Sequence, residues 1–428
     1  MFQSCGQLTS INLKSFNTQY VRDFTGMFSG CNNLLNIDLS SFKTPQLLSM
    51  EKMFSQCTSL KSIDISKFDT SKVTNMKAMF YECKNLETIN LNNLDTSSVN
   101  DMSNLFTNCN KLTNLDLSYF STNNVKNMDS MFLYCKSLSS IDLAYFETDE
   151  LSSMSNMFMG CTGLTSIDIS TFDTSKVVSM SELFSGCEKL ETIKWGFNFK
   201  TGNVIDMTNM FQNTAVNTLD FSNFDTSNVK IMSGMFKLCN KLRNLDLRRF
   251  DTSNVMVMQS MFEGCTSLTS LNIDNFNTKQ VTSMANMFNG CTSLKSLNIK
   301  SFDGNSVKDL NHMFSDCISL TEIKFNLDIF TAISTTDMSY MFSNCSSLTE
   351  LNLNGFDTEN NYDMGYMFYS CTNLRSLDLS SFNTIKVISF ENIFGQCQEM
   401  NVTINSKICE NLVSSKYITS NIHIIDIN

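Results

Sequence analysis

From Val73 onward the apolar positions are Val73, Met76, Met79, Phe80 and Cys83, then Leu86, Ile89 and Leu91. The first five are separated by three and four residues, the spacing of one face of a helix. The last two close with the alternation Ile89-Asn90-Leu91, the period of a short strand. Thr70 and Ser71 precede the apolar face, where a side-chain oxygen could accept a first-turn N–H as a helix cap. Each stretch therefore predicts a strand, a turn, a capped helix and a return to strand.

The pattern recurs. A Met-Phe pair, or a Leu/Ile variant of it, begins at residues 1, 27, 53, 79, 105, 131, 157, 183, 210, 235, 261, 287, 313, 341, 367 and 393. The step is 26 except for 27 and 25 around "KWGFNFKTGNV" and 28 across "KFNLDIFTAISTTDM". The paired errors near Trp195 restore the register at once, as stacking on a neighbour demands. One repeat holds too few apolar side chains to fold by itself, so stacking supplies the core and the strand finds a parallel partner.

The expected fold is an α/β solenoid: a right-handed coil with one long parallel β-sheet on the concave side and short helices on the convex side. The array of about sixteen 26-residue repeats covers 1–404, the first of them incomplete, and 405–428 reads as a degenerate C-terminal repeat or cap. The structural core is expected at Phe68, Met76, Phe80, Cys83 and Leu86 in one repeat and at the equivalent positions elsewhere.

The repeat "FDTSxVxxMxxMFxxCxxLxxLDLSxF" with its "LxxLxL" strand resembles the BspA-type leucine-rich-repeat surface proteins, a 26-residue class. The resemblance covers residues 1 to about 404. It implies a place at the cell surface or outside the cell, and a role in adhesion or host-protein binding.

Composition narrows the chemistry. A net charge of -11 and a pI near 4.8 give no broad surface for phosphate backbones or anionic lipid, which counts against nucleic acid as partner. No run of eighteen apolar residues predicts a membrane-spanning helix. The opening "MFQSCGQLTSINLKSF" has no basic and apolar leader pattern, and Met1-Phe2 is already in repeat register. The expectation is that the chain starts inside a longer array or has lost a leader.

Fifteen of the sixteen cysteines share one column, with Cys409 apart. Such a column gives every thiol two equal neighbours, so the expected state is a reduced, buried apolar side chain, with neighbour disulfides as the alternative. Without a CxxC, and with His312 and His423 as the two histidines, no metal or cofactor is expected.

A second column alternates with the inward strand residues: Asn12, Asp38, Asp64, Asn90, Asp116, Asp142, Asp168, Lys194, Asp220, Asp246, Asn272, Asn298, Lys324, Asn352 and Asp378. Alternation points these side chains out of the open sheet face. Stacked carboxylates repel one another, so the column reads either as a solvated face that resists edge aggregation or as a partner-binding surface. The candidate partner-binding residues are Asp38, Asp64, Asp116, Asp142, Asp168, Asp220, Asp246 and Asp378, those from Asp116 to Asp246 foremost.

A threonine column, from Thr18 and Thr44 to Thr384, suits a turn or helix cap better than an ice-binding array, which needs a flat surface more than one residue wide. "WGFNF" at Trp195 reads as a protruding contact loop or a tolerated insertion. Asn344 and Asn401 lie in Asn-x-Ser/Thr sequons. Neither a nucleophile-base pair nor a Gly-rich phosphate loop is present, so no enzyme is expected. The function expected is a monomeric, non-catalytic solenoid that takes a protein or glycan partner on its concave face. The alternatives are an intracellular interaction scaffold and, more remotely, an ice-binding solenoid.

Overall fold

The computed structural model describes residues 1–427. It forms two compact units, one of Met1–Val204 with Met210–Val216 and one of Ile205–Asn209 with Asn217–Asn428. Each unit is a stack of parallel coils in which one sequence repeat makes one coil.

In the first unit the strands are β1 (Ser62–Asp64), β2 (Thr88–Asn90), β3 (Ser166–Ile169) and β4 (Thr192–Trp195). In the second they are β5 (Asn244–Asp246), β6 (Ser270–Asn272), β7 (Ser296–Asn298), β8 (Glu322–Lys324), β9 (Ser376–Asp378), β10 (Met400–Ile404) and β11 (Ile422–Asp426). All pair in parallel, and β1 to β8 do so in the 26-residue register, as in Ile63 opposite Ile89 and Leu245 opposite Leu271, whereas β10 meets β9 and β11 at shorter offsets. The expected single long sheet is instead a set of short ones: β1-β2, β3-β4, β5-β6, β7-β8 and β11-β10-β9.

The expected helices are not there. Among the described residues the one helix is α1 (Glu410–Val413), in the closing segment that also carries β11. The segment from Met76 to Leu86 is a succession of tight turns. The N–H groups of Met79, Tyr81, Cys83 and Leu86 each reach the carbonyl three residues back, at 3.0–3.3 Å. Between these bonds, the N–H groups of Met76, Ala78, Phe80 and Glu82 cross to the next coil, onto the carbonyls of Asp101, Ser103, Leu105 and Thr107 at 2.7–3.1 Å. Ala78 (φ 54°) and Glu82 (φ 58°) are left-handed, which no right-handed helix tolerates. Chained turns bring every third or fourth side chain inward just as a helix does, and hydrophobic spacing does not distinguish the two.

The continuous backbone register lies on this turn side. Bridges run without a gap from Asp23 through Ser49, Asn75, Asp101 and Asn127 to Ser153 in the first unit. In the second they run from Asp206 to Ser389 through each coil in turn.

The core is a file of stacked rings. Phe28, Phe54, Phe80, Phe106, Phe132, Phe158 and Phe184 have successive centroids 5.5–5.9 Å apart and planes within 10°. The second unit repeats the file from Phe236 to Phe394. Phe68, Met76, Phe80, Cys83 and Leu86 are all buried. The cysteine column lies beside the rings as thiols rather than disulfides, every one buried except Cys5. Most thiols donate to the carbonyl of the phenylalanine one coil back, as Cys57 does to Phe28 at 3.2 Å. Burial pushes Cys57 and Cys161 up to about 12.

The threonine side chains do not cap helices. Their hydroxyls bind the neighbouring coil, as in Thr18 Oγ1 donating to the Lys43 carbonyl at 2.8 Å and accepting the Lys43 N–H at 2.8 Å. Their own carbonyls accept the N–H three residues on, at Val21 for Thr18, which closes a turn.

Candidate functional site

The strand side of the first unit is the candidate face. Inward residues such as Ile63 and Ile167 are buried, and the side chains on either side of them point out. One outward row reads Ser10, Asn36, Ser62, Thr88, Asn114, Ser140, Ser166 and Thr192, all exposed. The row beside it is the Asp/Asn column. No aromatic and no large apolar side chain interrupts either row.

Each aspartate in that column holds a local turn. The Oδ1 atoms of Asp38, Asp64, Asp116, Asp142 and Asp168 accept the N–H two residues on, from Ser40, Ser66, Ser118, Ala144 and Ser170, at 2.9–3.0 Å. Asp220, Asp246 and Asp378 do the same in the second unit, toward Ser222, Arg248 and Ser380, at 2.9–3.1 Å. Asn12, Asn90, Asn298 and Asn352 make the same bond. An Asx turn needs a short side chain with a carbonyl-type oxygen and takes Asp or Asn alike. This is why the column varies between these two residues yet almost never leaves them.

One carboxylate oxygen is thereby committed to the turn, and the other lies outside it. The Ser66 hydroxyl and N–H hold Asp64 below the usual carboxylate range, and Ser118 does so for Asp116. Asp168 is pulled lower, to about 2, by Lys194 Nζ at 2.8 Å from Oδ2 and by Ser170. Asp246 is tied to Arg248, whose Nη2 stands 2.7 Å from Oδ2. Both carboxylates are mostly neutralised before any partner arrives, whereas Asp116 and Asp142 have no ion-pair partner among the described residues.

The coil order puts Asp116, Asp142 and Asp168 on three successive coils of the first unit, about 5 Å apart. Asp38 and Asp64 are likewise neighbours. In the second unit Asp220 and Asp246 border an open depression of about 540 Å³ together with Arg248 and Arg249. Asp378 stands apart from them in a groove of about 630 Å³ shared with Glu350, Asn352, Asn401 and Thr403. Among the described residues no three His, Cys, Asp or Glu side chains converge to hold a metal, and no helix is long and apolar enough to cross a membrane.

At the mid-array irregularity Trp195 ends β4 and packs 4.6 Å from Phe199, while Phe197 is 80% exposed under Lys200 Nζ at 4.2 Å. Of the two sequons, Asn344 is half-buried and its Nδ2 donates to Asp316 at 2.7 Å, and Asn401 is exposed in β10. A feature passed over in the sequence is a ladder of His312, Tyr340 and Tyr366, with centroids 4.4 and 4.6 Å apart. Its signal was present: "NHMF", "SYMF" and "GYMF" put a ring before Met-Phe in three consecutive repeats.

The chain matches a family model, described as "Mycoplasma protein of unknown function, DUF285", in overlapping windows at 1–114, 82–195, 152–270, 238–331 and 319–426. It belongs to the DUF285 family. Those windows span nearly the whole DUF285 array. No curated protein matches the chain. In structure it is similar to a leucine-rich repeat protein from Bacteroides ovatus, at 19% identity and TM-score 0.45 over 89% of this chain and 88% of that one. It is also similar to a leucine rich cell surface protein from Faecalibacterium prausnitzii, at 16% identity and TM-score 0.39 over 85% and 83%. A leucine-rich repeat protein from Eubacterium ventriosum is a third, at 15% identity and TM-score 0.36 over 81% and 85%.

Proposed function

We propose that this DUF285 chain is a non-catalytic adhesion solenoid at the cell surface or outside the cell. It takes a protein or glycan partner on its strand face, with Asp116 and Asp142 as the leading contacts and Asp38, Asp64, Asp168, Asp220, Asp246 and Asp378 around them. The array over 1–404 forms the binding body, closed by the degenerate repeat over 405–428, and acts as a monomer. The observation that carries this reading is the pair of outward rows on the first unit, Ser10 to Ser166 and Asn12 to Asp168, made throughout of small hydroxyl, carboxamide and carboxylate side chains. Such a field offers many shallow polar contacts repeated at coil spacing and no deep pocket, which suits an extended partner better than a small substrate.

The test is capture of partners from host or environmental extract by the intact chain, compared with Asp116→Asn/Asp142→Asn. Asparagine keeps the turn and removes the charge. Loss of a captured partner with unchanged thermal unfolding supports the assignment; equal capture by both proteins removes these aspartates from the site.

A further inference from the structure

The strand face of the second unit carries a different charge from that of the first, although the chain as a whole is strongly acidic. Across β5 to β8 the outward residues include Arg243, Arg248, Lys295, Lys300 and Lys324, against Asp246, Asp274 and Glu322. The three acids are already engaged. Asp246 is held by Arg248, Glu322 lies 3.3 Å from Lys324, and Asp274 Oδ1 accepts Asn298 Nδ2 at 3.0 Å. Arg243, Lys295 and Lys300 are exposed, and none of the three has an ion-pair partner among the described residues. Five cations therefore face three acids on one stretch of a protein of net charge -11, and Arg243, Lys295 and Lys300 are the cations not held in an ion pair.

Their surroundings narrow what anion they fit. Between them lie Asn244, Thr269, Ser270, Asn272, Ser296 and Asn298. Among the described residues no large aromatic or aliphatic side chain of β5 to β8 is prominently exposed on which a nucleic-acid base could stack or a peptide's apolar side chains could pack. Hydroxyl and carboxamide groups match sugar hydroxyls as donors and acceptors. Arg243 and Lys295 hold the same row position two coils apart, so their charges repeat at about 10 Å along the stack. A polymer with carboxylates on alternate sugars places its charges in that manner.

We propose that the β5–β8 strand face binds an acidic polysaccharide, with Arg243, Lys295 and Lys300 pairing with its uronate carboxylates and the intervening Ser, Thr and Asn side chains with its hydroxyls. This deepens the adhesion reading and rests on it only in placing the ligand on the strand side.

The experiment uses the full chain and immobilised hyaluronan oligosaccharide, with neutral dextran, polyglutamate and single-stranded polyuridylate as comparison surfaces. Binding to hyaluronan above all three is expected, falling as ionic strength rises from about 0.05 to 0.5 M. Arg243→Ser/Lys295→Ser/Lys300→Ser should weaken it about tenfold or more with unchanged unfolding, and removal of two exposed cations elsewhere, Lys126→Ser/Lys176→Ser in the first unit, should leave it nearly unaltered. No hyaluronan binding, equal binding to polyglutamate or polyuridylate, or an unaffected triple variant would each overturn the proposal. None of these results bears on partner capture at the first unit's aspartates, so the two readings fail separately.

Discussion

Thr44 and Asp69, one coil apart, exchange two hydrogen bonds: the Thr44 hydroxyl donates to the Asp69 carbonyl at 3.0 Å and accepts the Asp69 N–H at 2.7 Å. Thr148 with Asp173 and Thr278 with Asp303 repeat the exchange. A buried hydroxyl that both gives and takes acts as a rivet between coils. Thr44→Val keeps the shape and orphans a buried N–H and carbonyl, so it should cost about 1–3 kcal/mol in urea unfolding. Thr44→Ser should recover most of that loss.

Asn361 has the opposite standing. It occupies the column that Val307 and Val387 fill elsewhere, is fully buried, and neither its Oδ1 nor its Nδ2 has a hydrogen-bond partner. Desolvating an amide without replacing its bonds is costly. Asn361→Val should therefore stabilise the chain, by about 1–3 kcal/mol, read as a rise in the denaturant midpoint.

The cysteine column should be chemically silent in the folded protein. The thiolate is the reactive form, and burial pushes the Cys57, Cys161 and Cys317 thiols up to about 12. Native alkylation followed by mass spectrometry should modify Cys5 alone, and denaturation without reductant should open all sixteen cysteines. Adducts at several buried positions under native conditions would contradict this packing.

Two roles are superposed on each strand-face aspartate, and substitution separates them. Asp116→Ala removes the acceptor for the Ser118 N–H and should destabilise by about 0.5–1.5 kcal/mol. Asp116→Asn keeps that acceptor and should unfold at nearly the wild-type denaturant concentration.

His312 should make the second unit sensitive to mild acid. Burial and the stacked Tyr340 ring surround it, and burial holds its pKa below the ordinary 6.5 despite the pull of Asp337, Asp316, Asp309 and Glu263. A base with a depressed folded pKa takes up its proton first in the unfolded chain, so stability is full above the unfolded value and falls as pH drops through it. Between pH ~7.5 and ~5.5 the wild type should lose more stability than His312→Asn, which also tolerates the left-handed backbone at φ 53°. Equal losses in both would exclude His312 as the source.

The repeat, its length errors and the inward set of Phe80, Met76, Cys83 and Leu86 were legible because burial is periodic, and periodicity survives in one dimension. The coil path was not. Ala78 and Glu82 adopt left-handed backbone although neither residue type favours it. Their N–H groups bond to Ser103 and Thr107 on the next coil, contacts that a single repeat does not contain. The sequence therefore read as a helix where the coil runs through turns. The outward position of Asp116 followed from alternation alone. That its Oδ1 is spent on Ser118 depended on the turn leaving the strand, and spacing does not carry that information.

By itself the sequence determined which residues are buried together and that each coil must lean on its neighbours, because apolar spacing and stacking are properties of the repeat. The tertiary structure decided where the polar groups go. Thr44 turns sideways to rivet coils, the thiols point at phenylalanine carbonyls, and Arg243, Lys295 and Lys300 stay outside the ion pairs of the described residues. Hydrogen bonds and ion pairs are directional and form between atoms some 25 residues apart, which only the stacked backbone brings within reach.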